Sequence, residues 1–324
     1  MSDIFKELGF EDLEAGDVQS VDEMTIVPLI GTNRTENVAQ PQNLRFRSTS
    51  SYGSMEWGNE DPDGDAIVPS NTMVISEKAA QDHAMAGTGV IKPLTATTFD
   101  NACCVQESQG GYLAEAGNAF DILPLELRKV LVNPTLRGKR DYGKLWPFIK
   151  RFLEGVPGCA QTGGDRGHLE DFFRPYRKQM EEFAAEFEPV DDQVGALIFF
   201  GETPVGFEVM PTVAHWEFYW KWLIRGCYGA QVLKLRLLDM ISPNRIELQF
   251  PSSINDMGSV ISDYLRMIAI AMRTAVAELA LTGRAEAKQL AEGSPMLGTI
   301  LRTERGGGDL IVQENKPVYL SLVL

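Results

Sequence analysis

The sequence predicts an α+β fold in which mixed or antiparallel sheets pack with long helices, one of them a central aromatic helix. Three observations carry this. Short β-branched or apolar runs bounded by Gly, Asn and Asp occur towards both ends of the chain. Helical periodicity dominates the middle. Within residues 213–238, Trp216, Tyr219, Trp220, Leu223 and Cys227 fall at i, i+3, i+4, i+7 and i+11, with Phe218 and Trp222 on a neighbouring face. So wide an apolar surface belongs to a buried helix.

The elements follow in order. Residues 1–23 carry eight acidic residues and one lysine, with Ile4, Phe5, Leu8, Phe10 and Leu13 among them. They read as an appended acidic arm, either a solvated terminus or a docking segment with Phe5, Leu8 and Leu13 as anchors. MTIVPLI, residues 24–30, reads as a buried strand, and the stretch 31–65, rich in Asn, Ser, Thr and Gly, as a long polar insert without structure of its own. NTMVIS, GVIKPLTATTF and ACCVQE read as three strands. From Ala119 the pattern turns helical through LPLELRKVL and YGKLWPFIKRFL, and after a Gly-rich break at 163–167 a charged helix runs over 168–187. VGALIFF and PVGFEVM flank Gly201, Glu202 and Thr203 as a hairpin. Residues 246–250 form a further strand candidate and 259–290 a second long helix, and TILRT, DLIVQE and PVYLSLVL close the chain as strands. The organisation expected is one α+β domain over 24–324, with the arm and the insert as additions.

Composition narrows the function. With 324 residues, 44% hydrophobic and 23% charged, the chain has the profile of a soluble globular protein. Its 45 acidic residues against 30 basic give a net charge of −15, a field that repels phosphate backbones and anionic lipid, so nucleic acid and membrane are poor partners. Four cysteines without a paired framework suit a reducing compartment. No basic n-region with an apolar h-region opens the chain, and the most apolar helix-like run, 264–281, is broken by Arg266, Arg273 and Glu278. The expected location is the cytoplasm, or a particle assembled there.

Three segments offer chemistry. Asn59, Asp61, Asp63 and Asp65 place oxygens at alternate positions with Gly64 at the sixth, the way a tight loop surrounds Ca²⁺, but Ser70 replaces the bidentate Glu at the twelfth position. The alternative is a solvated acidic turn, and no other cofactor is expected. Gln81, Asp82 and His83 follow a strand and set a carboxylate beside an imidazole, suited to acid–base work or to gripping a polar ligand, or else forming a polar strand-end turn. Thr162, Gly163 and Gly164 could offer backbone N–H groups to an anion ahead of the next helix, or serve as a flexible loop. Cys103 and Cys104 point to opposite faces if in a strand and read as buried structural thiols. There is no GxSxG, no GxGxxG after a strand and no P-loop, and the histidines His83, His168 and His215 do not pair at metal-ligand spacing.

Several segments in a shared order resemble the ADP-ribosylglycohydrolase and rhodanese-phosphatase-associated protein domain family. Ala79-Ala80-Gln81-Asp82-His83, VIKPLTATTF and Cys104-Val105-Gln106-Glu107 are similar to its glutamine-centred motif, the strand after it and its Cys-Val-Glu element. LPLELRKVL, LWPFIKRFLEG and Thr162-Gly163 resemble its helical middle, VGALIFFGETPVGFEVM and FYWKWLIRGCYGAQVL its hairpin and aromatic helix, and the stretch from Leu297-Gly298 to Pro317-Val318-Tyr319-Leu320 its closing strands. The motif departs from the family at Asp82-His83, where Asn-Arg is usual, and at Gly110-Gly111-Tyr112, where Gly-Arg-Trp is usual. Replacing an arginine by His83 removes a fixed cation able to clamp phosphate. The resemblance implies NAD-derived or ADP-ribose ligands. The chain lacks a complete catalytic constellation and carries the acidic arm, so the leading expectation is a non-catalytic binding or structural component of a larger assembly, a virion included, with protein subunits as partners. The alternative is an enzyme or sensor for ADP-ribose or a related nucleotide-like small molecule.

Overall fold

The computed structural model describes residues 9–10, 12–49, 51–76, 80–107, 111, 117–159, 167–239, 266–267, 270, 288–289, 291–303, 306–314 and 316–324. Two compact units interleave along the chain: one holds 1–41, 187–218 and 246–324, the other 42–186 and 219–245. The fold is α+β, and the strand pairs that build its sheets are antiparallel.

The first unit is built on a nine-stranded sheet. Towards one end of it the buried strand Met24–Ile30 pairs with Gln193–Phe200, whose hairpin partner Thr203–Val209 pairs in turn with Lys316–Val323 at the middle of the sheet. Gly307–Gln313 and Met296–Arg302 continue the sheet outward. The buried strand, the hairpin and the closing strands thus form as their apolar runs predict. The sheet's core includes Val27, Leu29, Leu197, Phe199, Phe207 and Leu322.

Two arm residues enter this core. Phe10 is fully buried and meets Phe207 edge-on with 6.2 Å between ring centroids, and Leu13 is 1% exposed. Glu14–Ala15 and Gln19–Val21 both pair with Met24–Ile30. Leu13 is therefore an internal packing residue and not an anchor held out to a partner, because its apolar side chain is covered by its own sheet. Phe5 and Leu8 lie outside the described residues.

Among its described residues the second unit contains three small sheets and a helical core. The stretch read as a structureless insert holds a hairpin instead, Leu44–Ser48 against Met55–Asn59, extended by Ala96–Phe99. Phe46 and Trp57 are paired across it, 4% and 2% exposed, with rings 5.2 Å apart. Period-2 alternation is present, but Arg45, Arg47 and Glu56 on the outward positions and the Ser-rich turn hide it. Likewise Asn118–Ile122 is a strand on Thr72–Ser76, and helix begins only at Leu125.

Helices Leu125–Leu131, Trp146–Leu153 and Glu170–Ala184 supply Leu127, Ile149, Phe152, Phe172 and Met180 to the helical core. Pro175 lies inside the last of these and cannot donate to the carbonyl of Asp171. The Cys159 thiol donates to that oxygen instead, at 3.3 Å.

Long helices overstate the structure. The longest of the α-helices named here, Glu170–Ala184, has 15 residues. The expected aromatic helix is realised in three pieces: α-helix Val213–Trp222, π-helix Leu223–Gly229 and α-helix Ala230–Asp239. Trp216, Tyr219, Trp220, Leu223 and Cys227 are all buried, as their spacing requires. The strand expected at 246–250 lies outside the described residues, as does nearly all of the helix expected over 259–290.

Candidate functional site

The two halves of the glutamine-centred motif meet inside the second unit. His83–Ala84 is a two-residue strand between Thr72–Ser76 and Cys103–Cys104, with His83 directly opposite Cys104. His83 Nδ1 lies 2.6 Å from the Gln81 carbonyl oxygen, which can only accept, so Nδ1 carries the proton. Nε2 is then an acceptor, receiving the Gly53 N–H at 3.2 Å and the Cys104 thiol at 3.0 Å. Burial pushes the imidazole down to about 4, against a smaller opposing effect of the Gln81 carbonyl, and pushes the Cys104 thiol up to about 12. Both groups are neutral and fully enclosed. Cys103, on the opposite face, is also buried, with its thiol raised to about 12 by burial.

Gln81 and Asp82 are fixed by the second half of the motif. Gln81 Nε2 donates to the Gln106 carbonyl at 2.6 Å, the Asp82 N–H to Gln106 Oε1 at 3.4 Å, and the Val105 N–H to the Asp82 carbonyl at 2.9 Å. Asp82 Oδ1 accepts the Ser76 N–H at 2.8 Å and so ties the motif to the end of the strand Thr72–Ser76. Gln106 Nε2 donates to Glu170 at 2.8 Å, and Glu170 pairs with Arg174. Burial raises the Asp82 carboxyl to about 8; the Ser76 hydrogen bond and Arg174 oppose this and Glu170 adds to it. Gln81 Oε1 and Asp82 Oδ2 are buried without a hydrogen-bond partner among the described residues.

Thr162, Gly163 and Gly164 lie outside the described residues. The chain that follows them is placed: Gly167 N–H donates to Glu107 at 2.9 Å, Glu107 pairs with Lys150 at 3.1 Å, and Gln106 bridges to His168. Gln81, Asp82 and His83 are thus brought together with Cys104, Gln106 and Glu170, three residues to which sequence reasoning assigned no chemistry.

The acidic loop is closed on itself. Asn59, 2% exposed, donates to the carbonyls of Gly64 and Ile91 at 2.8 and 3.1 Å, and its Oδ1 accepts the Asp61 N–H at 2.9 Å. Asp61 Oδ1 accepts from the N–H groups of Asp63 and Gly64, and Oδ2 from Asn43. These two side chains cap the turn's own backbone. Among the described residues no group of three or more His, Cys, Asp or Glu is placed to hold a metal ion, and no helix is long and apolar enough to cross a membrane.

A second buried charge cluster escaped sequence reasoning. Asp121, fully buried, accepts from Arg225 Nε at 2.8 Å and lies 3.8 Å from Arg177, while Arg225 also donates to the Phe120 carbonyl at 2.9 Å. Burial raises Asp121 to about 6 against the pull of Arg225. Arg225 sits in the π-helix, beside Gly226, where a Cβ would come within 2.8 Å of the Ile122 carbonyl and Asp121 Cβ. The usable signal was a lone arginine, WLIRGCYG, in an otherwise apolar run.

The first unit carries a groove of about 760 Å³ with the carboxylates of Asp12, Glu14, Asp192 and Glu217 on its wall. Partial burial alone would raise Asp12, but hydrogen bonds from Arg34 and Thr32 hold it down to about 2, so it remains charged.

The family model for ARPP-1, the ARG and Rhodanese-Phosphatase-superfamily-associated Protein domain, matches residues 75–267. The chain belongs to this family. The ARPP-1 match takes in Gln81, Asp82, His83, Cys104, Gln106, Asp121, Glu170 and Arg225, so both buried polar clusters lie within it. No curated protein and no solved structure matches the chain.

Proposed function

We propose that this ARPP-1 protein is a non-catalytic binding or structural component of a larger assembly, a multi-subunit particle or virion among them. The supporting observation is the state of His83 and Cys104. A working thiol site needs a thiolate or a base able to make one, and this pair is a protonated thiol facing a neutral imidazole with both groups enclosed. The partners would be protein subunits, self or other. The carboxylates of the first unit's groove favour one that presents Lys or Arg, with Phe5 and Leu8 of the arm as apolar anchors. Gel filtration with light scattering on the protein as purified from its source tests this. A mass well above the 35.9 kDa of one chain is expected, and a monomer at every concentration overturns the reading.

A second reading rests on a different observation, the unpartnered oxygens of Gln81 and Asp82. In it the protein is an enzyme or sensor for ADP-ribose, an NAD-derived or a related nucleotide ligand, with the ARG of the family description taken as ADP-ribosylglycohydrolase. A thermal-shift panel of NAD, ADP-ribose and nucleotides tests it, since a ligand at a hundred times its Kd stabilises by about 2.7 kcal/mol. No shift with any of them removes this reading and leaves the first untouched.

A further inference from the structure

Gln81 and Asp82 are 4% and 1% exposed, yet each keeps one oxygen, Gln81 Oε1 and Asp82 Oδ2, without a hydrogen-bond partner among the described residues. A buried polar atom left unsatisfied destabilises the fold that carries it, and native structures seldom keep one without a use. Here two occur on consecutive residues. The rest of each side chain is immobilised: Gln81 Nε2 on the Gln106 carbonyl at 2.6 Å and Asp82 Oδ1 on the Ser76 N–H at 2.8 Å. Gln106 is itself held by Glu170 at 2.8 Å. Side chains fixed at one end, with the polar tip unused, are oriented before a ligand arrives, which lowers the ordering cost of binding it.

We propose that Gln81 Oε1 and Asp82 Oδ2 bind the planar edge of a neutral ligand that carries an N–H donor beside an acceptor, the edge presented by a primary carboxamide or an amino-substituted nitrogen heterocycle. The proposal rests on the second, ligand-binding reading above. Charge selects the class. The charged groups acting on Asp82 are Glu170 and Arg174, which already pair with each other, and the neighbouring His83 is neutral. Burial holds the Asp82 carboxyl protonated at neutral pH, so Oδ2 donates while Gln81 Oε1 accepts. A ligand carboxylate or phosphate would set acceptor against Gln81 Oε1. A donor–acceptor edge satisfies both oxygens.

Isothermal titration calorimetry on the full chain tests this with two pairs of probes: nicotinamide against nicotinate, and adenosine against purine riboside. Members of a pair share a ring system and differ at the edge. We expect nicotinamide or adenosine to bind at least tenfold more tightly than its partner. The wild-type affinity should fall as pH rises past 8. Asp82→Asn, which keeps a donor in place of the acid proton, should retain binding and lose that pH dependence, whereas Gln81→Leu should abolish it. Equal affinity within both pairs, or no binding of any probe, overturns the proposal using wild-type protein alone. Loss of binding in a folded Asp82→Asn, checked by circular dichroism, overturns the donor role. None of these outcomes alters the native mass on which the assembly reading depends.

Discussion

His83 Nε2 lies 3.0 Å from Cys104 Sγ, across a two-residue strand pair that sets the residues directly opposite one another. The geometry is that of a nucleophile and its base, with the Gln81 carbonyl orienting the ring from the other side. The electrostatics are the reverse. Enclosure lowers the imidazole and raises the thiol, so proton transfer from sulfur to nitrogen would create two buried charges where none exist. The same contact instead adds the Cys104 thiol to the Gly53 N–H as a second donor to a buried ring nitrogen, and it ties residues 81–83 to residues 104–106.

Asp82 gives a pH signature. Its folded pKa of about 8 lies above the ordinary 3.8, so between these values the folded chain keeps a proton that the unfolded chain has released. Its stabilising contribution is complete below pH 4 and is lost as pH climbs to 8. His83 and His215, lowered to about 4 from 6.5, act in the opposite sense and weaken the fold only below about pH 6.5. Urea denaturation of Asp82→Asn should therefore show stability relative to wild type rising between pH 5 and 8, by up to about 1.4 kcal/mol per pH unit, and level above 8. A difference independent of pH would mean that Asp82 is ionised in the folded protein.

Gly226→Ala should destabilise by about 1 to 3 kcal/mol even though alanine is the better helix former. The added methyl would meet the Ile122 carbonyl and Asp121 Cβ at 2.8 Å, which pushes the π-helix away from the strand and lengthens the Arg225–Asp121 ion pair. An unchanged or higher midpoint in urea would show that the helix can withdraw without cost.

Leu94 should respond in the opposite direction. It has φ +53° and is 70% exposed, following Pro93 in a turn closed by Thr95 N–H to the Lys92 carbonyl at 3.3 Å. Glycine is the residue suited to this position of such a turn, and a leucine there is strained by about 1 kcal/mol. Leu94→Gly should therefore stabilise by up to about 1 kcal/mol in the same assay. A loss of stability would show that the exposed side chain packs on something.

The strands most plainly written in the sequence were continuous apolar runs ended by turn residues, such as Met24–Ile30 and Gln193–Phe200. Leu44–Ser48 and Met55–Asn59 were obscured because the inward Phe46 and Trp57 are interspersed with Arg45, Arg47 and Glu56, under a polar composition typical of loops. At the site, Gln81, Asp82 and His83 were legible as neighbours in sequence, but their partners were not. Cys104 is 21 residues from His83 and Arg225 is 104 from Asp121, and each pairing is fixed by strand register or helix placement that no local pattern encodes. The N-terminal segment misled for a related reason: alternating acidic and apolar residues fit a docking arm and equally a chain that tucks Phe10 and Leu13 under its own sheet.

That last distinction predicts two different phenotypes. Leu13→Ala should cost about 2 to 5 kcal/mol as a core truncation. Phe5→Ala combined with Leu8→Ala should leave the melting temperature nearly unchanged and reduce association seen by light scattering. A double variant that melts several degrees lower, with association intact, would remove the arm from the proposed interface.

The central claim, that His83 and Cys104 form an enclosed, neutral contact and not a reactive thiolate–imidazolium pair, is tested most directly by thiol labelling. Folded protein is treated with iodoacetamide at pH 7 to 8 and Cys104 modification is followed by peptide mass spectrometry, for wild type and for His83→Ala. Cys104 should stay unmodified in the folded wild type and label only when the chain is unfolded, because its thiol is enclosed and raised to about 12. Rapid, selective labelling of Cys104 at neutral pH that disappears in His83→Ala would reveal an accessible thiolate–imidazolium pair and contradict the account.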